Sequence, residues 1–136
     1  MTITPHGPGF SFLDRFEIIE PGKRARGSKW LDPAARYFAD HFPGRPLMPG
    51  VLLVECAAQT AGAFWQRLRN QAEATPVFLA AVQQFRFTKP VSPGEVIEME
   101  VELERDAGTL AQFSAEIRVG ATVVAQGKIV MSLQAA

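Results

Sequence analysis

Apolar and polar positions follow three different patterns along the chain, and each pattern predicts a different kind of structure. Residues 1–48 are irregular and rich in proline, glycine and aromatic side chains, with one strand predicted from Phe12 to Ile19. Residues 51–65 are apolar on nearly every side and contain no proline. This run predicts a buried core helix from Val51 to Gln71, whose polar last turns, from Gln66 onward, should emerge into water.

The final part of the chain alternates between apolar and polar residues at every step. Residues 97–104 read IEMEVELE, which predicts a strand with one buried face and one wet face. Further strands are predicted from Phe78 to Thr88, from Phe113 to Val119 and from Thr122 to Leu133. Because the turns between the later strands are short, the strands should form an antiparallel meander.

One apolar helix and an antiparallel sheet of five or six strands predict an α+β fold in which the sheet wraps the helix. A single helix cannot cover both edges of such a sheet, and open edges are usually paired or covered. We therefore expect a dimer that continues the sheet.

Composition narrows the classes of function. The 136 residues, 47% of them hydrophobic, predict one domain spanning 1–136 with a sizeable core. A net charge of zero argues against a general nucleic-acid binder. One cysteine excludes an internal disulfide, and two histidines make a zinc or other metal site unexpected. We expect no secretory signal and no membrane-spanning stretch, hence a cytoplasmic protein.

Glu55 stands out because it lies inside the most apolar helix of the chain. Glutamate is rarely buried unless it is paired or functional. Gln59 and Gly62 follow at four and seven residues, so they share one helix face with Glu55. Alternatively, Glu55 faces a water-filled dimer seam or pairs with an arginine such as Arg86.

His41 and Gly50 belong to a stiff loop that leads into the helix. Three prolines and two glycines follow His41 within nine residues, which indicates a defined loop shape and a positioned histidine. Gly50 falls at the helix start, where unpaired amides suit an oxygen that gains negative charge. Taken singly, His41 is best interpreted as a loop histidine that hydrogen-bonds the backbone, and Gly50 as part of an ordinary Pro-Gly turn. Together with Glu55 they supply a base, an acid and an oxyanion site.

Residues 41–59 read HFPGRPLMPGVLLVECAAQ. This segment resembles the signature of the 3-hydroxyacyl-[acyl-carrier-protein] dehydratases of bacterial fatty acid synthesis, which are hot-dog folds. The resemblance extends to residues 5–15 near the start and to residues 85–95 after the helix. Arg45 falls at a position that varies in the family, Cys56 replaces a more usual small apolar residue, and neither change touches the chemistry.

The resemblance implies that His41 and Glu55 are the catalytic residues and that different subunits contribute them to an active site at a dimer interface. It makes Gly50 the amide that polarises the thioester carbonyl, and it implies further substrate-binding positions at Val51, Gln59, Met48 and Phe87. The implied substrate is a (3R)-3-hydroxyacyl thioester on acyl carrier protein, the product is a trans-2-enoyl thioester, and no metal or organic cofactor is needed. The family also contains trimers of dimers, and glutamate at position 55 is typical of its dehydratase-only branch.

Two further sets of residues have an open interpretation. An apolar acyl tunnel should run along the helix, and most of its candidate wall residues also read as plain core: Met48, Phe64, Trp65, Leu68, Phe85 and Phe87. Basic residues that suit an acidic carrier protein also read as a solvated charge run: Lys23, Arg24, Arg26, Lys29, Arg67 and Arg69.

Other functions remain as alternatives. A hot-dog thioesterase would direct water at the same polarised carbonyl, and a non-catalytic acyl-binding module would need no chemistry at all. The resemblance also leaves open a polyketide or aryl-polyene pathway in place of primary fatty acid synthesis.

Overall fold

A six-stranded antiparallel sheet curves around one long helix in the computed structural model, which describes residues 10–40, 44, 46–69 and 76–133. The order of the strands in the sheet is β1-β2-β4-β5-β6-β3. In chain order the elements are β1 (Arg15–Glu20), β2 (Arg24–Trp30), α1 (Arg36–Asp40), α2 (Gly50–Leu68), β3 (Phe78–Phe87), β4 (Val96–Asp106), β5 (Leu110–Val119) and β6 (Thr122–Ser132).

The predicted helix and meander are confirmed with small changes at their ends. Helix α2 begins at Gly50 behind Pro49, whose missing N–H suits a helix start, and it ends at Leu68. Strands β4, β5 and β6 pair in sequence, and their alternating inner positions form the core with α2. The rings of Phe64 on α2 and Phe113 on β5, with centroids 6.3 Å apart, mark this contact.

The first part of the chain differs from the prediction. Strand β1 starts three residues later than predicted, because the Phe12 amide donates to the Gln59 side chain and not to a neighbouring strand. Strand β2, which was not predicted, joins β1 to β4. Its inner positions hold Ala25 and Gly27, because α2 passes too close for larger side chains: a Cβ at Gly27 would lie 2.7 Å from Thr60 Oγ1.

The outer face of the sheet carries charged side chains, while the inner face of β3 is apolar and half open. Leu79, Val82 and Phe87 are 39%, 46% and 50% exposed, although their partners on β6 are buried. Strand β3 is an edge strand, so its outer hydrogen-bonding groups have no neighbour within the sheet. No described helix is long and apolar enough to cross a membrane; cytoplasmic location stays a prediction of the sequence.

Candidate active site

Glu55 is the sixth residue of α2, and it is half buried. The side-chain amide of Gln59 donates a hydrogen bond to Glu55 Oε2 at 2.9 Å, one turn further along the helix. The alternative in which Glu55 pairs with Arg86 does not occur within the chain, because Arg86 lies opposite Gln126 on the outer face of the sheet. His41 lies outside the described residues, so its role stays a prediction.

Gln59 is almost fully buried and joins helix α2 to the segment before β1. Its side-chain oxygen accepts the Phe12 amide at 2.8 Å, and its side-chain nitrogen also donates to the Phe10 carbonyl at 2.8 Å. The segment before β1 therefore crosses α2 and holds the glutamine in one orientation. A side chain fixed by two backbone groups presents its N–H to Glu55 without further loss of conformational freedom.

A cavity of about 190 Å³ runs along the Glu55 face of α2. The predicted sharing of one face by Glu55, Gln59 and Gly62 is confirmed, since all three line this cavity. The remaining wall comes from the chain segment before β1, from α2, from β3 and from β6: Phe10, Ala58, Ala63, Gln66, Val77, Phe78, Leu79 and Met131. The cavity is mostly apolar with a few polar groups, which is the usual make-up of a small-molecule site.

Gln66 extends the Glu55 face by one more turn and is 1% exposed. The prediction that the polar end of the helix emerges into water is therefore wrong at this residue and is confirmed at Leu68 and Arg69, whose side chains are exposed. The spacing of 55, 59, 62 and 66 was a signal in the sequence for this placement, because those positions recur every three or four residues along one face.

The amino end of α2 lies in a second cavity. Among the described residues, the amides of Gly50 and Val51 meet no hydrogen-bond acceptor, and Pro49 supplies no side-chain cap. The cavity, of about 220 Å³, is lined by Leu47, Met48, Gly50, Leu53, Phe87, Thr88, Lys89, Pro90 and Val91. The Phe87 ring packs directly over Gly50, where an added Cβ would lie 3.2 Å from Phe87 Cε1. Such a helix end attracts an oxygen with partial negative charge.

The two cavities share no lining residue. Gly50 and Glu55 are five positions apart on α2, which places the two residues about 140° apart around the helix axis. Within one chain, the helix amides and the carboxylate therefore face different sites.

The structure separates tunnel candidates from core residues. Phe64 and Trp65 are fully buried in the core and line neither cavity, whereas Met48 and Phe87 line the cavity at Gly50. Leu68 is exposed and Phe85 is half buried against Gly127. Cys56 is also core, as predicted, and burial raises the pKa of its thiol.

Most of the basic residues proposed for docking are paired within the chain. Arg24 binds Glu20, Arg26 lies 3.6 Å from Glu17, Lys29 binds Asp14 and Arg69 lies 4.0 Å from Asp106. Arg67 lies over the Phe16 ring. These partners favour the interpretation of the basic residues as a solvated charge run. Among the described residues, no three His, Cys, Asp or Glu side chains are grouped to hold a metal.

The sequence of the chain matches one protein family and many known relatives. Residues 4–128 match the family model of the FabA-like domain. The chain is 38% identical over 133 residues to the 3-hydroxyacyl-[acyl-carrier-protein] dehydratase FabZ of Herpetosiphon aurantiacus, covering 98% of this chain and 94% of the relative. It is 35% identical over 131 residues to the protein of the same name from Bacillus velezensis, covering 96% and 92%.

Solved structures agree with the predicted hot-dog fold. The dehydratase heterocomplex ApeI:P of Xenorhabdus doucetiae superposes with a TM-score of 0.82 at 16% identity, covering 98% of this chain and 89% of that one. The fluoroacetyl-CoA thioesterase FlK superposes with a TM-score of 0.66 at 13% identity, covering 85% and 88%. At such identities the likeness shows the fold alone, whereas the family match covers most of the sequence. The chain therefore belongs to the FabA-like domain family, as its sequence motif predicts.

Proposed function

We propose that this protein catalyses the dehydration of (3R)-3-hydroxyacyl thioesters on acyl carrier protein to trans-2-enoyl thioesters, in fatty acid biosynthesis. The observation that carries the proposal is Glu55, a carboxylate held by Gln59 at the head of a mostly apolar cavity. Relatives at 35–38% identity over nearly the full chain are named for this activity.

The helix amides at Gly50 and Val51 suit the thioester carbonyl. Enolate character develops on that oxygen when a proton leaves C2, and the amino end of α2 stabilises the growing negative charge. The surrounding cavity is lined mainly by apolar groups such as Met48 and Phe87, which exclude water and strengthen the hydrogen bonds.

His41 and Glu55 divide the proton transfers between them. Neutral His41 takes the proton from C2, and the electron pair of the C2–H bond forms the C2–C3 double bond as the C3–O bond breaks. Glu55, in its protonated form, gives a proton to the leaving hydroxyl, directly or through a water molecule, so that the hydroxyl departs as water, and the proton held by His41 afterwards returns to Glu55. The thioester bond is unchanged, and the reaction needs no cofactor to balance.

A complete site requires two chains in this proposal. Within one chain the amides at Gly50 and the carboxylate of Glu55 face separate cavities, so each needs complementary groups from elsewhere. The open edge and the half-exposed apolar inner face of β3 provide a surface for a second copy. We propose a homodimer in which β3 strands from two copies lie side by side and bring Glu55 of one chain to His41 and Gly50 of the other.

The decisive experiment distinguishes dehydration from thioester hydrolysis by following the product of each reaction in one assay. The purified protein is incubated with 3-hydroxyacyl groups on acyl carrier protein, and the same chains on coenzyme A test the carrier preference. We expect absorbance from the enoyl thioester and no free thiol. Release of thiol without enoyl product would identify a thioesterase, and binding with neither product would identify an acyl-binding module.

A further inference from the structure

The Glu55 face of α2 continues beyond the catalytic carboxylate and ends at Gln66. With a rise of 1.5 Å per residue, Gly62 lies about 10 Å and Gln66 about 16 Å further along the helix axis. Both residues line the same cavity as Glu55. Gln66 is 1% exposed, so its side chain is packed into the wall and is not a mobile surface group.

Gly62 lines the cavity without a side chain of its own. A Cβ built there would lie 3.7 Å from Met131 Cε and 3.7 Å from Val77 Cβ, which are ordinary contact distances. Val77 and Met131 are lining residues themselves. A methyl group at position 62 would therefore enter the cavity without displacing its walls, and it would narrow the passage between Glu55 and Gln66.

We propose that Gln66 is a specificity-determining residue that ends the acyl site and sets the longest acyl tail accepted, with Gly62 keeping the passage to it open. The proposal rests on the proposed function, since it assigns the acyl tail to the cavity that Glu55 lines. An extended chain advances about 1.2 Å per bond, so a tail running from Glu55 meets Gln66 at or before about fourteen bonds.

The size and the burial of the Gln66 side chain explain how it would limit the length of the acyl tail. Helical side chains lean toward the amino end of the helix, so Gln66 reaches back toward the approaching tail. The position is closely packed, and a packed wall resists the entry of further methylene groups. Shorter tails stop before this wall and leave it undisturbed.

Two variants change the cavity in opposite directions. Gln66→Ala removes the end wall, and Gly62→Ala narrows the passage in front of it. Each is tested with 3-hydroxyacyl substrates of 4, 8, 12 and 16 carbons and with non-reacting saturated acyl-pantetheine amides of the same lengths. Gln126→Ala, on the exposed outer face of the sheet, is the matched control for the loss of a glutamine side chain.

We expect Gln66→Ala to raise the ratio of kcat/KM for 16 carbons over 4 carbons by about tenfold. Gly62→Ala should lower that ratio by a similar factor, and Gln126→Ala should leave it unchanged. The pantetheine amides should bind in the same order of lengths. General damage to the fold would lower every chain length alike, so equal losses, or an unchanged ratio in both cavity variants, overturn the proposal.

The binding series also separates this inference from the proposed function. If the protein forms no enoyl product but its amide affinities shift as expected, the dehydratase proposal fails and the assignment of Gln66 stands. If enoyl product forms and neither variant alters the dependence on chain length, the assignment of Gln66 fails alone.

Discussion

The side-chain nitrogen of Gln59, Nε2, lies 2.9 Å from Oε2 of Glu55 and 2.8 Å from the carbonyl oxygen of Phe10. Glu55 is the only described carboxylate that lines the cavity of about 190 Å³, and Gln59 orients it. The segment before β1 orients Gln59 in turn. This arrangement makes Gln59 a positioning residue in the proposed mechanism, because it holds the acid without touching the reacting carbon atoms.

Replacement of Gln59 by leucine, which has a similar size, should lower kcat by at least about tenfold with little change in KM. The variant leaves the Phe12 amide and Phe10 carbonyl without this partner, so its free energy of unfolding should fall by about 1–3 kcal/mol. Steady-state kinetics and urea unfolding measure both effects. Gln126→Leu, on the outer face, should change neither, and full turnover in Gln59→Leu would contradict the positioning role.

Two inactive variants should restore activity to each other when mixed. His41→Ala and Glu55→Gln should each fold, dimerise and lose turnover, because one lacks the base and the other the acid. After subunits exchange at equal amounts, half of the dimers are mixed, and each mixed dimer has one intact site. Activity should return to about one quarter of the wild-type value.

The same mixture distinguishes sites within one chain from sites shared by two. If His41 and Glu55 of the same chain acted together, no mixed dimer would contain an intact pair and activity would stay absent. Mixing each variant with itself under identical conditions is the control for the exchange procedure.

A charge on the inner face of β3 should prevent the proposed dimer. Val82 is 46% exposed on an otherwise apolar strand face, so Val82→Arg would place an unpaired charge in the interface. We expect a monomer by light scattering and no turnover. Leu110→Arg provides a matched control, because Leu110 is 45% exposed but begins β5, away from the β3 edge. A Val82→Arg protein that remains dimeric would exclude this interface.

The irregular part of β3 depends on Gly127 of the neighbouring strand. The pairing of β3 with β6 shifts between Gln83 and Arg86, and Gln84 has a φ of 52°. Phe85 packs so tightly on Gly127 that an added Cβ would lie 2.4 Å from its ring and 2.6 Å from its Cα. Gly127→Ala should therefore destabilise the protein by about 1–3 kcal/mol in urea unfolding.

Gly62→Ala is the matched comparison for that change in stability. Its Cβ meets only ordinary contacts at 3.7 Å, and alanine favours a helix interior by about 1 kcal/mol over glycine. If Gly127→Ala and Gly62→Ala lowered the free energy of unfolding equally, close packing of Phe85 on Gly127 would not be the cause of the loss.

The pattern of the sequence by itself determined the long helix, the meander of β4, β5 and β6, and the face shared by Glu55, Gln59 and Gly62. These features depend on local periodicity, since an apolar run of helical length and strict alternation each leave few other ways to bury the same side chains. The motif at residues 41–59 determined the family. Strand β2 escaped prediction because contact with α2 requires Ala25 and Gly27 at its inner positions, and small residues give little periodic signal.

Tertiary structure alone decided which groups meet. The hydrogen bonds that join Gln59 to Phe10 and Phe12 span more than 45 positions of sequence, and no local pattern encodes such a separation. Burial of Gln66 at the end of the cavity likewise depends on chain segments that pack over α2 from β3 and β6. Local preferences choose elements, whereas the shape of a site arises from contacts between elements that are distant along the chain.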